Sequence, residues 1–409
     1  MTGTVPESAT EPIASRADAE GYVAMICFKH GPPQRLGVEL EWTVHHVDDP
    51  TRALDAVDLG AALGPHAPPT LAPHSPHLPL PGGSLLTVEP GGQVEVSSAP
   101  DTSVTTLLST LDRDVAALDT LLRTADLVRG EHGIDAHRLP RRLLGVPRYA
   151  AMQSAFDRIG PRGSQMMCST ASMQICVDAG EPPDSYTRWR AAHAVGPALV
   201  ALFANSRRLA GHDTGWASAR LRATVGTCPP TTEPPAHTDD PASAWAALAM
   251  AAPVLCVRRD SGCWDAPVGL TFADWVAGGH AVRPTYDDLD YHLSTLFPPV
   301  RPRGYLELRY LDAQPPARWH DPVLLVSALM SDPGTVDAAL DAAGRAADRW
   351  LQAAQHGLAD EPVLEAASAL VEIGAAAMTR LDVAAADIEQ TIDRLQARIA
   401  DHSMRRHSA

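Results

Sequence analysis

Four stretches of the chain alternate between apolar and polar residues, which is the pattern of a half-buried β-strand. The first runs from Leu36 to Val44 and places its leucines, valines and tryptophan on one face and Glu39 and Glu41 on the other. The same period of two recurs at 84–97, 168–178 and 304–311. We therefore predict a sheet with one apolar face and one polar face.

Apolar residues recur at helical spacing from Leu107 to Ala125, and Gly130 is placed to end that helix. Further helices are predicted at 184–208, 321–331, 334–356, 361–378 and 382–400. Strands followed by a helical C-terminus predict the α+β class, with helices packed on one face of the sheet. The predicted organisation is a flexible leader at 1–20, a single domain at 21–400 and a tail at 401–409, with a Pro/His-rich loop at 64–83 and a helical C-terminal part at 313–400.

The polar face of the predicted strands carries mostly carboxylates. Glu39 and Glu41 lie two residues apart on one strand, about 7 Å from each other. The other strands add Glu89, Glu95, Gln174, Glu307 and Arg309. A solvated face would explain one such strand, but on a shared sheet these side chains converge. Carboxylates without a Cys/His set favour Mg²⁺ over zinc, and carboxylates combined with arginine suit phosphoryl transfer.

The composition narrows the possible chemistry. Lys29 is the only lysine, and His30 and Gly31 follow it, so the chain has no P-loop lysine and only one candidate for a Schiff base. The net charge of −16 disfavours nucleic acid and anionic membranes as partners. The six cysteines lack CxxC spacing, and no signal peptide or long apolar span is evident, which together predict a cytoplasmic protein.

Several segments between residues 37 and 312 form recognisable motifs. They are Gly37-Val38-Glu39-Leu40-Glu41, Glu89-Pro90-Gly91-Gly92-Gln93-Val94-Glu95, Pro147-Arg148-Tyr149 with Met152, Met166-Met167-Cys168-Ser169-Thr170 through Gln174 and Asp178, Ala204-Asn205-Ser206 with Gly211, Gly215, Ser218 and Arg220, and Tyr305-Leu306-Glu307-Leu308-Arg309. In this order the set resembles the glutamate–cysteine ligase family, in its plant and bacterial branch. The resemblance extends to the actinobacterial members that supply γ-glutamylcysteine to ergothioneine synthesis.

The resemblance implies a glutamine-synthetase-like fold, in which a curved, mostly antiparallel sheet forms a funnel. It implies ATP-dependent joining of L-glutamate to L-cysteine through γ-glutamyl phosphate, with Mg²⁺ as cofactor. Arg309 is expected to stabilise the transferring phosphoryl group, with Glu307 beside it. The residues expected to hold Mg²⁺ are Glu39, Glu41, Glu89, Glu95 and Glu307, and those expected to bind substrate or ATP are Arg148, Gln174, Ser218 and Arg220.

Two other functions stay open from the sequence. The first is an ATP-dependent ligase that joins glutamate to a different amine. The second is a non-enzymatic module whose acidic funnel binds cations or a basic partner. Arg309 beside Glu307 disfavours the second, because a site that only traps cations has no use for an arginine.

Overall fold

The computed structural model describes residues 9–28, 35–181, 184–228, 231–233 and 239–407. Its strands are β1 (Leu36–Trp42), β2 (Val44–His46), β3 (Leu85–Val88), β4 (Val94–Ser97), β5 (Leu127–Arg129), β6 (Ser172–Asp178), β7 (Arg208–Leu209), β8 (His212–Asp213), β9 (Val300–Pro302) and β10 (Tyr305–Asp312). Its helices are α1 (Arg16–Cys27), α2 (Ala56–Leu63), α3 (Val104–Arg123), α4 (Pro147–Asp157), α5 (Arg162–Ser169), α6 (Asp184–Ala194), α7 (Gly196–Leu202), α8 (Ala219–Val225), α9 (Pro241–Ala251), α10 (Phe272–Asp274), α11 (Tyr286–Leu293), α12 (His320–Leu329), α13 (Pro333–Ala343), α14 (Trp350–His356), α15 (Glu361–Met378) and α16 (Ala385–His407).

Six strands form one antiparallel sheet in the order β3-β4-β1-β6-β10-β9. All four stretches predicted from the alternation of residues contribute to it. Two further strand pairs, β2 with β5 and β7 with β8, stand apart from this sheet. The predicted α+β class, with a mostly antiparallel sheet, is confirmed.

The apolar face of the sheet packs against helices and forms the main core. Val38, Leu40 and Trp42 of β1 are each about 1% exposed, and the matching residues of β6 and β10 are buried with them. Helices α3, α6, α7 and α12 contact the sheet, and α15 packs on α7 and α12. The Tyr310 hydroxyl fixes β10 to this layer by donating to the Ala192 carbonyl at 3.0 Å. The opposite face of the sheet is thereby left for polar side chains.

A second core lies beside the sheet and includes the N-terminal segment. Ile13 is fully buried, and α1 packs on α9, where it contacts a cluster that also contains Trp245 and Leu289. Ser15 caps α1 by accepting a hydrogen bond from the Asp18 amide at 3.2 Å. The prediction of a flexible leader is therefore wrong for residues 9–20, because apolar residues there join a core built from distant parts of the chain. Residues 1–8 lie outside the described part.

Several predicted boundaries also differ from the structure. The helix predicted to end at Gly130 ends at Arg123, and the glycine follows β5. The helix predicted at 184–208 is two helices, which meet where Gly196 passes so close to Trp350 that a Cβ there would lie 2.1 Å from the indole. Residues 401–407, predicted as part of a tail, belong to α16, which ends at His407.

The Pro/His-rich segment at 64–83 is a loop with a single 3₁₀ turn at Gly64–His66, as predicted. His77 in this loop contacts the edge strand β3, because its Nε2 is 2.7 Å from the Leu86 carbonyl oxygen.

Within the described ranges, no single helix is long and apolar enough to cross a membrane. The pair at 320–329 and 333–346 meets that criterion only when joined across a 107° bend.

Candidate active site

The register of the sheet brings the predicted carboxylates onto one face. Glu41 on β1 lies directly opposite Glu95 on β4, and Glu39 lies opposite Gln174 on β6. Glu307 on β10 is paired with Arg301 on β9. One extra residue in β10 between Leu308 and Leu311 forms a bulge at Arg309, and such a bulge re-aims a side chain.

We call Glu39, Glu41, Glu89 and Glu95 the acidic group. Glu41 accepts hydrogen bonds from the Ser172 amide at 2.9 Å and from its hydroxyl at 3.0 Å. Glu95 accepts from the hydroxyl of Thr87 at 2.7 Å and is 3.4 Å from the Gln174 amide nitrogen. These bonds fix the direction of two carboxylates, but no arginine forms an ion pair with any member of the group among the described residues.

Burial and mutual repulsion raise the pKa of every carboxyl in the acidic group. Burial, followed by the charges of Glu95 and Glu307, raises the pKa of Glu39 to about 8. Burial and the charge of Glu89 raise the pKa of Glu95 to about 7. The pKa values of Glu41 and Glu89 are raised for the same leading reason, burial. Holding these groups ionised together therefore costs free energy unless a cation joins them.

The other end of the polar face is basic. We call Arg301, Arg303 and Arg309 the arginine group; together they surround Glu307. Arg309 donates to Glu307 and to the Gln174 side-chain oxygen, Arg301 donates to Glu307 at 3.2 Å, and Arg303 lies 3.8 Å from the other Glu307 oxygen. Burial alone would raise the pKa of Glu307, but Arg301, Arg309 and Arg303 hold it below the ordinary value.

A cavity of about 290 Å³ lies over this polar face. The acidic group, the arginine group and Gln174 line it, together with Arg148, which donates to the hydroxyl and carbonyl oxygens of Ser294 at 3.0 and 2.9 Å. Glu307 is only about 1% exposed and lies beneath the arginines instead of lining the cavity. The cavity therefore joins carboxylates at one end to guanidinium groups at the other.

Arg220 and Ser218 belong to a hydrogen-bond network centred on Asp312. The Arg220 Nε donates to Asp312 at 2.9 Å, and the Ser218 hydroxyl donates to the same oxygen at 2.8 Å. Arg220 lines the cavity and also donates to the Arg309 carbonyl at 3.2 Å. Ser218 caps α8, is about 1% exposed and lies outside the cavity lining. We therefore correct its expected role from substrate contact to structural support.

The acidic group fits a hard divalent cation by its donor chemistry. Its ligands are carboxylate oxygens, which suit Mg²⁺, and their raised pKa values indicate a site that would gain from a positive charge. No three Cys, His, Asp or Glu side chains in the described ranges are close enough together to form a ready-made metal centre. Glu307 fits a metal poorly, because three arginines already surround it.

Sequence reasoning missed Arg301 and Arg303. Arg301 lies in the three-residue strand β9 and Arg303 directly follows it, on either side of Pro302. A proline in so short a segment argues against a strand. The proline is tolerated because β9 is an edge strand, so its missing N–H interrupts no inner ladder. Only the pairing of β9 with β10 shows that Arg301 lies opposite Glu307.

The sequence pattern of the family described as glutamate–cysteine ligase family 2 matches residues 35–403, which is most of the chain. This chain belongs to glutamate–cysteine ligase family 2. Among its relatives, the glutamate–cysteine ligase EgtA of Mycolicibacterium smegmatis is 39% identical over 374 residues, covering 88% of this chain and 84% of that protein. The EgtA of Mycobacterium tuberculosis strain H37Rv is 37% identical, with 89% and 84% covered.

More distant members of the family match as well. The chloroplastic glutamate–cysteine ligase of Medicago truncatula is 31% identical over 250 residues, covering 57% of this chain and 48% of that protein. A solved structure of a glutamate–cysteine ligase from Francisella tularensis, in complex with AMP, shares the fold. It has a TM-score of 0.52 at 13% sequence identity and covers 92% of this chain and 84% of that one. The family membership confirms the resemblance drawn from the motifs.

Proposed function

We propose that this ligase joins the γ-carboxyl of L-glutamate to the amine of L-cysteine at the expense of ATP. The products are γ-glutamylcysteine, ADP and phosphate, and the dipeptide is the precursor of ergothioneine. The observation that carries the proposal is one cavity lined by both the acidic group and the arginine group, in a chain of this family. The names of the EgtA relatives support glutamate and cysteine as substrates.

The chemistry needs an activated carboxylate, because a free carboxylate is a poor acyl donor. Transfer of the ATP γ-phosphoryl group to the glutamate side chain gives an acyl phosphate, which the cysteine amine attacks as phosphate leaves. We assign Arg309 to the transferring phosphoryl group, since its planar guanidinium can contact two phosphate oxygens at once. Glu307 then acts as a positioning residue, because it fixes Arg309.

We assign the acidic group to Mg²⁺ binding. Bound Mg²⁺ supplies charge neutralisation for the phosphates of ATP. Glu307, predicted from the sequence as a fifth ligand, is excluded from this set because its carboxylate already faces Arg301 and Arg309. Gln174 lies between the two groups, within reach of Glu95 and bonded to Arg309, and we assign it to contact with the metal or a phosphate.

Arg148 and Arg220 line the cavity and are assigned to substrate carboxylate or phosphate contacts. Both are held in place, Arg148 by Ser294 and Arg220 by Asp312. Because these donors are already held in place, they need little rearrangement when negative charge develops on the substrates during the reaction. We place the reaction in the cytoplasm, in keeping with six cysteines that are all free thiols.

The test is release of ADP by the purified protein with ATP, Mg²⁺ and glutamate, adding candidate amines one at a time. We expect cysteine to give the fastest release, together with a product of the mass of γ-glutamylcysteine. Faster release with another amine would support the alternative ligase. Absence of any acceptor-dependent release would support the non-enzymatic binding module.

A further inference from the structure

A second cavity, of about 760 Å³, shares no lining residue with the cavity over the polar face. It lies between the end of α7, the segment that enters β7, the turn after α14 and helix α16. Three arginines and two histidines line it, and Asp401 is the only carboxylate among its described lining residues. In a chain with a net charge of −16, this is a local excess of cationic side chains. We call the set the basic pocket: His132, Arg207, Arg208, His356 and Arg398.

Two arginines of the basic pocket are held in place by neutral oxygens. Arg398 donates to the Leu202 carbonyl at 2.8 Å and to the Gln314 side-chain oxygen at 3.2 Å. Arg208 donates to the Gly211 carbonyl at 2.6 Å. Within the described ranges, neither arginine forms an ion pair with a carboxylate. Their positive charges are therefore fixed in position but not compensated.

Burial makes the uncompensated charge of Arg398 costly. Its guanidinium carbon lies 5.6 Å from the centre of the Phe203 ring. Burial lowers the pKa of Arg398. The charge of Asp321 opposes that shift, whereas the charges of Arg318 and Arg394 add to it. A bound anion would offset this cost, because it supplies the partner that the guanidinium lacks.

Arg207 and the two histidines add donors at the edge of the basic pocket. Arg207 lies 3.0 Å from Asp213, but the side chains are 61% and 51% exposed, so solvent screens this ion pair. His132 and His356 are exposed, and a histidine has at least one N–H donor in either protonation state. The basic pocket thus presents donors from several elements to one anion.

The floor of the basic pocket is apolar. Ala201, Leu202 and Leu358 line it and are 6%, 3% and 8% exposed. The volume of about 760 Å³ is in the range of sites for small organic molecules, and an inorganic anion would fill only a small part of it. The occupant that fits is therefore an organic molecule with an apolar body and at least two anionic groups.

Hydrogen bonds connect the basic pocket to the catalytic cavity through Asp312. Ser206, which lines the basic pocket, donates its hydroxyl to one Asp312 oxygen at 2.6 Å. Arg220, which lines the catalytic cavity, donates to the other oxygen at 2.9 Å. From the opposite side, Gln314 accepts from Arg398 and donates to the Asp312 carbonyl at 3.0 Å. An occupant that orders the basic pocket would therefore also order the residue that holds Arg220.

We infer that the basic pocket binds a small organic polyanion, with its carboxylate or phosphate groups on the arginines, and that this occupant lowers KM for the substrate that Arg220 contacts. The binding is independent of the proposed function, whereas the effect on KM rests on it. The sign follows because an occupant that has already ordered Asp312 leaves less ordering for the substrate to induce. By linkage, the substrate tightens binding of the occupant by the same factor.

Direct binding is the first test. Isothermal titration calorimetry without Mg²⁺, at fixed ionic strength, compares benzene-1,3,5-tricarboxylate, 4-carboxyphenyl phosphate and inorganic phosphate. We expect saturable binding of an organic probe, and inorganic phosphate should bind about tenfold more weakly or worse, because each lost charged hydrogen bond costs at least that much. The two organic probes distinguish a carboxylate occupant from a phosphorylated one. Inorganic phosphate binding as tightly as both would overturn the organic class of ligand.

Variants locate the bound probe. Arg208→Gln and Arg398→Gln should each weaken binding of the organic probe by about tenfold. The matched control Arg345→Gln, an exposed arginine outside the basic pocket, should preserve it, and so should Arg309→Ala in the catalytic cavity. Arg208 is exposed, so its variant keeps the test decisive if Arg398→Gln folds poorly. Binding lost in Arg309→Ala but kept in both pocket variants would overturn the inference, as would no saturable binding of either organic probe.

Kinetics then test the coupling. With the organic probe saturating, KM for glutamate or for ATP should fall by about fivefold or more. Arg208→Gln should keep the wild-type kcat and KM without the probe and lose the response to it. Binding with no change in either KM would overturn the coupling. Binding at the basic pocket in a protein that never releases ADP with cysteine would support the site and refute the proposed function.

Discussion

The two ends of the polar sheet face use the same residue type in opposite electrostatic settings. At one end the pKa of Glu39 is raised to about 8, mainly by burial and then by the charges of neighbouring carboxylates. At the other end Glu307 is more deeply buried, yet three arginines hold its pKa below the ordinary value. The difference indicates that the acidic group needs a cation from outside the chain, whereas Glu307 already has its cations.

The largest expected effect on turnover comes from a substitution in the acidic group. Glu39→Gln keeps the shape of the side chain and removes one negative charge from the group that we assign to Mg²⁺. We expect turnover to fall by about 10³-fold at limiting Mg²⁺, because charge neutralisation of the phosphates weakens. The measurement is ADP release across a Mg²⁺ titration, with Glu372→Gln on the exposed side of α15 as the matched control. Near-normal turnover at limiting Mg²⁺ would remove Glu39 from the metal site.

The next largest effect on turnover is expected from a substitution in the arginine group. Arg309→Lys should be nearly as damaging as Arg309→Ala, at about 10²-fold or more in kcat, because an ammonium cannot bridge two phosphate oxygens. We would compare kcat of the two variants by steady-state kinetics. Circular dichroism checks that both variants fold. Full activity of the lysine variant would show that the site needs only a positive charge there.

The pattern of residues predicted much of this contrast. Period-two alternation predicts that Glu39 and Glu41 share the polar face of one strand and that Glu95 lies on the polar face of another, because strand geometry is local. The Asp312 network and the strand carrying Arg301 depend on pairings between distant segments, which no local pattern encodes. The family resemblance implies a substrate contact for Ser218, whereas in the structure its hydroxyl donates to Asp312.

The N-terminal segment is a second place where the local sequence pattern does not predict a contact between distant parts of the chain. Ile13 sits in a polar stretch and carries no periodic signal, yet it is fully buried in the second core.

The smallest expected effect is a pH dependence of the stabilisation that Mg²⁺ gives to the acidic group. The folded pKa values of Glu39, about 8, and Glu95, about 7, lie above the ordinary value of 4.5. The folded protein therefore binds more protons than the unfolded chain in this range, and the stability contributed by these groups falls as pH rises from about 4.5 to 8. Mg²⁺ replaces the lost protons, so it should raise the melting temperature by more at pH 8 than at pH 6.

Thermal unfolding with EDTA and with Mg²⁺ at the two pH values measures this difference. The double variant Glu39→Gln/Glu95→Gln is the control and should show a smaller dependence of the Mg²⁺ effect on pH. An equal rise in melting temperature at both pH values in the wild-type protein would contradict the account of the acidic end.

The central claim is that the two ends act together to transfer the γ-phosphoryl group of ATP to glutamate. The direct measurement uses glutamate labelled with ¹⁸O in its side-chain carboxylate, with ATP and cysteine, and determines the masses of the products. The account predicts ADP and one ¹⁸O atom in inorganic phosphate for each dipeptide formed. Formation of AMP and pyrophosphate, with the label in AMP, would contradict it.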